Sequence, residues 1–367
     1  MVNQAQRRET GLGEYADRYF EVLAAGGPEL LPVAPGAVFT ENGQVLQLGR
    51  GLWRTATGVG ATRAVTLADE ESGEVATWGM VSEAGRDAIL GVRLKVDAEL
   101  IAEIETFVVR INDMVSGFGL LDAERLARPT PGLLDLLAEA DRPTRDELRR
   151  AADGYLDGVS GDNADLIPVA DDCIRVENGV QTVLRTEGWP PGTELQPRQA
   201  IGVAQQVREG LTRHIWAARD RGMYLTDPER GLVMVRFFFD HPGKVHGWQG
   251  RAPFIAPNSM PAWEVFKVRG GLIRHIEAII SVFPYGMRWG WLWRSRERGC
   301  TTCSTATTQP WGPAIPGGCR WQPTRGSPKT ARNSRSVPGC GRRRPARRRT
   351  ARSSWLTRLR VRWPAGA

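Results

Sequence analysis

Seven residues of this chain recur 136 positions downstream without a gap. Tyr19, Pro32, Val33, Ala34 and Glu41-Asn42-Gly43 reappear as Tyr155, Pro168, Val169, Ala170 and Glu177-Asn178-Gly179. A second set keeps a different constant offset: Lys95, Val96, Ile101, Ile104 and Glu105 match Lys267, Val268, Ile273, Ile276 and Glu277, 172 positions on. Two fixed registers in one chain predict two copies of one folding unit, with the 36-residue difference inserted in the middle of the second. The expected organisation is a first domain over 8–112, a linker over 113–143, a second domain over 144–287 and a tail over 288–367.

Each copy opens on a helical pattern. Leu148, Ala152, Tyr155 and Val159 share one face, and Thr144 with Glu147 three residues on forms a capping box. Leu12, Tyr15, Tyr19 and Val22 repeat the stripe less cleanly. Alternating strands follow: Cys173 to Glu177 ending at the Asn178-Gly179 turn, then Leu232 to Asp240, Trp263 to Val268 and Ile273 to Phe283. The insertion predicts a long helix over about Arg198 to Arg221, with Ile201, Ala204, Leu211 and Ile215 on its apolar side. Gly117 to Arg142, with Pro129 and Pro131, reads as the linker. Helices followed by a curved antiparallel sheet give an α+β class, two tandem cone-shaped domains.

The net charge of +8 averages two unlike pieces. From Arg288 onward there are 18 Arg, one Lys and one acid, Glu297, leaving 30 basic and 40 acidic residues before it. Any nucleic-acid partner therefore belongs to the tail. The tail also holds Cys300, Cys303, Cys319 and Cys340 and has no apolar period, so it cannot build a core. It reads as disordered or as an out-of-frame translation of GC-rich DNA. A phosphate-binding arm at Arg342–Arg349 and a zinc site at Cys300-x2-Cys303 are the alternatives. No secretory signal, membrane span or disulfide framework is expected, which points to a cytoplasmic protein.

The helix Tyr, the run Val169-Ala170-Asp171-Asp172 leading to Glu177-Asn178-Gly179, and the late Lys267-x3-Gly271-x-Ile273-x2-Ile276-Glu277 resemble the SnoaL-like and ketosteroid-isomerase-like branch of the nuclear-transport-factor-2-like superfamily. The resemblance spans both copies and is strongest to an uncharacterised tandem SnoaL-like family. It implies a cone around an apolar pocket, with isomerases, cyclases, dehydratases and non-catalytic domains as relatives. The isomerase pattern further implies a carboxylate base at Glu177 and an oxyanion hole of Tyr155 and a protonated Glu264. Arg18-Tyr19-Phe20-Glu21 matches the setting of the isomerase Tyr. The first copy keeps Tyr19 and Glu41 but has Val92 in the third place, so chemistry is expected in the second.

Strand alternation puts Glu264, Phe266 and Val268 on one face, a carboxyl among apolar neighbours. Glu177 shares its face with Cys173 and Arg175, and that Arg favours a permanent anion, a departure from the isomerase pattern. Glu-Asn-Gly is equally what a turn requires, and a helix Tyr is equally a core aromatic. Arg175, His214, Asp240 and His241 are further binding candidates: His214 faces the pocket from the long helix, and Asp240 orients His241 as a base. No spacing suggests a metal, a phosphate loop or a nucleophile elbow, so no cofactor is expected. The reading is a cofactor-independent acid–base enzyme of isomerase, cyclase or lyase type on a small, largely apolar carbonyl or polycyclic substrate. Its alternative is a non-catalytic ligand-binding or dimerising module, with a homodimer as candidate partner. Truncation after Leu292 should leave the thermal midpoint unchanged within error; a fall of several degrees would show that the tail packs on the body.

Overall fold

The computed structural model describes residues 11–110, 121–128, 130–185, 200–243 and 256–289. The tail from residue 290, with its arginine run and cysteines, and the first residues of the predicted Arg198–Arg221 helix lie outside them. The first half runs α1 (Leu12–Ala25), β1 (Val33–Glu41), β2 (Gln44–Leu46), α2 (Leu52–Thr55), β3 (Ala56–Asp69), β4 (Glu74–Glu83), β5 (Arg86–Asp97) and β6 (Leu100–Arg110). A connector carries α3 (Ala123–Leu126). The second half runs α4 (Arg145–Ser160), β7 (Val169–Glu177), β8 (Val180–Gln181), α5 (Val203–Arg208), β9 (Ala217–Asp227), β10 (Leu232–His241), β11 (Asn258–Arg269), β12 (Leu272–Ile280) and β13 (Phe283–Pro284).

The strand orders are β2-β1-β6-β5-β4-β3 and β8-β7-β12-β11-β10-β9, with β13 added on β11. Registers correspond as well. Phe39 lies opposite Ile104 as Arg175 lies opposite Ile276, and Thr77 opposite Val92 as Val235 lies opposite Glu264. The sheets are mixed rather than purely antiparallel, because β1 runs parallel to β6 and β7 to β12. That geometry follows from the opening strand inserting between its sequence neighbour and the last long strand of the half.

The repeated Glu-Asn-Gly has a structural explanation. Asn42 and Asn178 take φ of 48° and 49°, followed by Gly43 and Gly179 at 78° and 82°, the doubly left-handed turn that favours Asn-Gly. Each Asn side chain then imitates a strand residue. Asn178 Nδ2 donates to Ile280 O at 3.1 Å and its Oδ1 accepts from Ile280 N at 2.9 Å. Asn42 does the same to Val108 at 3.1 and 2.7 Å.

The extra sequence is divided. β4 and β10 begin 158 residues apart, at Glu74 and Leu232. That offset exceeds 136 by 22 and falls short of 172 by 14, so 22 residues enter before β9 and 14 after β10. The predicted long helix is therefore wrong: only Val203–Arg208 is α-helical, and Ala217–Asp227 is a strand. Gly210, at φ 79°, ends the helix with Gly210 N bonded to Val207 O and Leu211 N to Gln206 O. Beyond it the chain pairs with the open edge of β10, Phe238 facing Arg219 and Asp240 facing Ala217, a tertiary demand that overrides the helical period.

Burial sorts into three cores. α1 packs Ala16, Tyr19, Phe20 and Leu23 onto the inner face of the first sheet, with Leu90, Val92 and Val108. α4, whose Thr144–Glu147 capping box forms as the spacing predicts, packs Leu148, Ala152, Tyr155 and Val159 onto the second, with Val235, Phe237 and Phe266. The third core lies between the outer faces of the two sheets: Trp78, Ile89 and Phe107 against Met234, Phe238, Trp263 and Ile279. Trp289, 1% exposed, fills the same layer, so packed chain continues beyond Arg288, where the sequence places the start of the tail. The connector is pinned as well: Asp122 N donates to Asn178 O at 3.0 Å and Leu137 N to Glu229 O at 2.8 Å.

Gly91 shows how close the sheets lie. A Cβ there would meet Ile279 Cδ1 at 2.8 Å and the Trp263 ring at 3.0 Å. Gly91→Ala should therefore cost about 1–3 kcal/mol by overpacking. In urea denaturation the midpoint should fall within one cooperative transition for both halves, since they share that core. A change under a few tenths of a kcal/mol, or two separate transitions, would refute the coupling.

Candidate functional site

On the inner face of the second sheet four polar side chains meet among apolar neighbours. α4 delivers Tyr155 inward because Leu148, Ala152 and Val159 share its face, and its ring packs on Phe266 with centroids 5.0 Å apart. β7 turns Cys173, Arg175 and Glu177 to the same side by alternation. β11 does so for Ala262, Glu264, Phe266 and Val268.

Arg175 organises the group. Its Nη1 donates to the Tyr155 hydroxyl at 3.4 Å, Nε to Thr182 Oγ1 at 3.0 Å and Nη2 to Gln206 Oε1 at 2.7 Å. Its Nε also stands 3.2 Å from Glu177 Oε1 in an ion pair. Burial works against the cation, but Glu177 and Tyr155 together hold it above the ordinary guanidinium range.

Glu264 is the unusual member. It is 2% exposed, and its Oε2 is buried without a hydrogen-bond partner among the described residues. Burial, reinforced by the charge of Glu177 and opposed by Arg175, pushes its carboxyl up to about 8. Burial likewise raises the Tyr155 phenol, with Glu264 adding to the rise and Arg175 opposing it. At neutral pH the face thus presents two protonated oxygen acids, Tyr155 and Glu264, beside a guanidinium–carboxylate pair.

The first half has the same scaffold without this chemistry. Phe39 occupies the place of Arg175 and Val92 that of Glu264, and both are buried in an apolar core. The Tyr19 hydroxyl accepts from Trp53 Nε1 at 2.9 Å, and Glu41 Oε2 accepts from Leu52 N at 2.8 Å. Glu41 lies against Gly51, where a Cβ would meet its Oε2 at 2.5 Å. Here the motif glutamate fastens a helix start, a structural role.

The remaining sequence candidates sort differently. His214 follows α5 in a turn and not on a long helix. It stacks on His241, centroids 5.1 Å apart and planes 16° apart. Asp240 does not orient His241, because neighbours on a strand face opposite ways. Asp240 points to the outer side, bound by Arg219 Nε at 2.6 Å and Ser259 Oγ at 2.5 Å. Asn258 Oδ1 takes the orienting place, 3.1 Å from His241 Nδ1. Burial, against the pull of Asn258, lowers His241 to about 4, so its ring is neutral. His241 pairs with Asn258 and Val235 with Glu264. Six residues of strand, roughly 20 Å, therefore separate the histidines from Glu264, and Phe237 and Phe239 lie between. Thr182 and Gln206 escape the sequence reading: the first half has Leu46 in the place of Thr182, opposite Phe39, and Gln206 lies in the divergent stretch.

Among the described residues, no group of three His, Cys, Asp or Glu is placed to hold a metal, and no helix is long and apolar enough to cross a membrane. A surface cavity of about 370 Å³ lies beside Asp122, Arg125 and Gly179 and another of about 740 Å³ along Glu14, Asp17 and Arg18; the four site residues line neither.

The raised Glu264 gives a signed test. The folded protein keeps a proton that the unfolded chain releases above pH 4.5, so stability falls as pH rises from about 4.5 to 8 and levels off above. Glu264→Gln removes that loss. Its stability relative to wild type should climb across this window by on the order of 3 kcal/mol, read from urea denaturation at pH 5, 7 and 9. A difference independent of pH would show that Glu264 ionises normally.

A domain of unknown function, DUF8021, matches residues 141–280. No curated protein matches the chain. Among solved structures, IdmH from Streptomyces antibioticus, provisionally assigned as a polyketide cyclase, is similar at 16% identity over 36% of this chain and 91% of its own, TM-score 0.26. A provisionally assigned SnoaL-like polyketide cyclase from Jannaschia sp. is similar at 9% identity over 40% and 90%, TM-score 0.25. AusH from Aspergillus nidulans is similar at 10% over 38% and 86%, TM-score 0.26.

Proposed function

We propose that the two halves are tandem SnoaL-like copies and that the second is a cofactor-independent acid–base enzyme of isomerase, cyclase or lyase type. Its substrate is a small, largely apolar carbonyl or polycyclic compound, bound on the inner sheet face. The observation that carries this reading is Glu264, buried beside Tyr155 with its Oε2 lacking a hydrogen-bond partner among the described residues and its carboxyl pushed by burial up to about 8. Two donors that need no reorganisation can stabilise an oxygen as it gains charge, which is where electrostatic catalysis is largest. Glu177 is the base that removes the proton next to the carbonyl, positioned by Arg175. The first half serves as a structural partner.

A second reading, a non-catalytic ligand-binding module, draws on the same ion pair, because Glu177 is already engaged by Arg175 at 3.2 Å. A homodimer, if formed, would use surfaces other than the outer sheet faces, which cover each other.

Proton abstraction beside a carbonyl appears as deuterium uptake in D2O, followed by NMR on a panel of apolar cyclic and polycyclic ketones. Glu177→Gln should cost about 10² or more in exchange rate. Tyr155→Phe and Glu264→Leu should each cost a comparable factor and combine less than additively, acting on one oxygen. Glu41→Gln should leave the rate unchanged. Equal losses from Glu41 and Glu177 would overturn the assignment, and ligand-induced stabilisation without exchange would leave the binding module.

A further inference from the structure

The Arg175 guanidinium is directed by a residue outside the repeated framework. Gln206 lies on α5, in the stretch the second half does not share with the first, and is 1% exposed. Its Nε2 donates to Thr182 O at 3.0 Å and its Oε1 accepts from Arg175 Nη2 at 2.7 Å. The amide can sit only this way round: a backbone carbonyl takes a donor and a guanidinium takes an acceptor. The backbone of Gln206 is fixed as well, its N–H bonded to Gly202 O at 3.0 Å and its carbonyl to Leu211 N at 2.9 Å. Val203 and Val207 bury the helix on either side.

Thr182 completes a ring, its Oγ1 accepting from Arg175 Nε while its carbonyl accepts from Gln206. Held by two neutral acceptors along one edge, the planar guanidinium has its Nη1 aimed at Tyr155. Without Gln206 the guanidinium would be held only at Nε, by Thr182 and Glu177, and would be free to swing Nη1 away from the phenol.

We propose that Gln206 is a positioning residue, which orients Arg175 so that the Tyr155 hydroxyl receives a hydrogen bond and presents its own proton to the site. The proposal rests on the reading of this face as an acid–base site, but its first test needs no substrate. A guanidinium bonded on both sides rotates slowly, so its Nη protons give resolved 1H–15N signals, which are assigned to Arg175 by their loss in Arg175→Lys. Gln206→Leu should average the Nη signals and speed solvent exchange of the Nε proton at least about tenfold. Gln206→Glu keeps the acceptor and should keep the signals resolved while losing the bond to Thr182. Should Gln206→Leu fail to fold by circular dichroism, Gln206→Asn, one methylene short of the guanidinium, is expected to give the same averaging. On any ketone that exchanges, Gln206→Leu should lower kcat about tenfold with KM within twofold. Unchanged Arg175 signals in a folded leucine or asparagine variant would overturn the positioning role. A response of those signals without any catalytic exchange in wild type would keep that role and remove the enzymatic reading instead.

Discussion

Burial of the two outer sheet faces against each other is the constraint on which the rest of the molecule depends. A mixed sheet with helices on one side leaves its other side apolar and in need of cover. Here each half supplies the cover for the other, through Trp78, Ile89 and Phe107 on one side and Phe238, Trp263 and Ile279 on the other. The indole N–H groups of Trp78, Trp263 and Trp289 are buried without hydrogen-bond partners among the described residues. The layer therefore draws its stability from ring area rather than from hydrogen bonds. Charged contacts also join the halves, with Arg145 of α4 on Asp69 at the end of β3 and Arg236 on Glu105 within the layer. Arg236 pairs with Glu105, which also lies 3.7 Å from Arg93. Such a pair adds little net stability once desolvation is counted, but removing one partner strands a buried charge. It therefore acts against sliding of one sheet over the other.

With the outer faces committed, the inner faces are free to differ, and the halves divide their tasks there. The substitutions are few and sit at equivalent places: Phe39 for Arg175, and Val92 for Glu264. In the first half the helix tyrosine is satisfied by Trp53 and the motif glutamate by a backbone amide, and the face closes as an ordinary core. In the second half a cation and two carboxyls occupy the same scaffold. Polar groups of that kind are costly to bury, and the second half can carry them because the sheet beneath is backed by the first.

The fold was legible where local pattern and tertiary demand agree. Constant offsets, the Thr144–Glu147 cap and strand alternation at Glu264 all correspond to features of the structure, because each is a short-range rule that long-range packing does not oppose. The misplaced helix marks the opposite case. Ile201, Ala204, Leu211 and Ile215 keep a helical period, yet Gly210 stops the helix and the exposed edge of β10 takes residues 217–227 as a strand. The Asp240–His241 pairing failed for a simpler reason, since adjacent strand residues point to opposite faces. Gln206 was invisible because a glutamine in a divergent segment carries no pattern; its meaning comes only from the guanidinium across from it.

Placing one guanidinium among two carboxyls also decides how the site divides its protons. Arg175 is in ion-pair contact with Glu177 and touches Tyr155, while Glu264 Oε2 has no hydrogen-bond partner among the described residues. One positive charge can neutralise one carboxylate, so ionising Glu264 as well would leave a net negative charge in a nearly dry environment. The proton on Glu264 is thus a consequence of the charge count and of burial together, and the pair Glu177–Arg175 is what sets that count. Replacing Arg175 by the phenylalanine that stands in its place in the first half would remove the cation from Glu177 and from the Tyr155 hydroxyl at once.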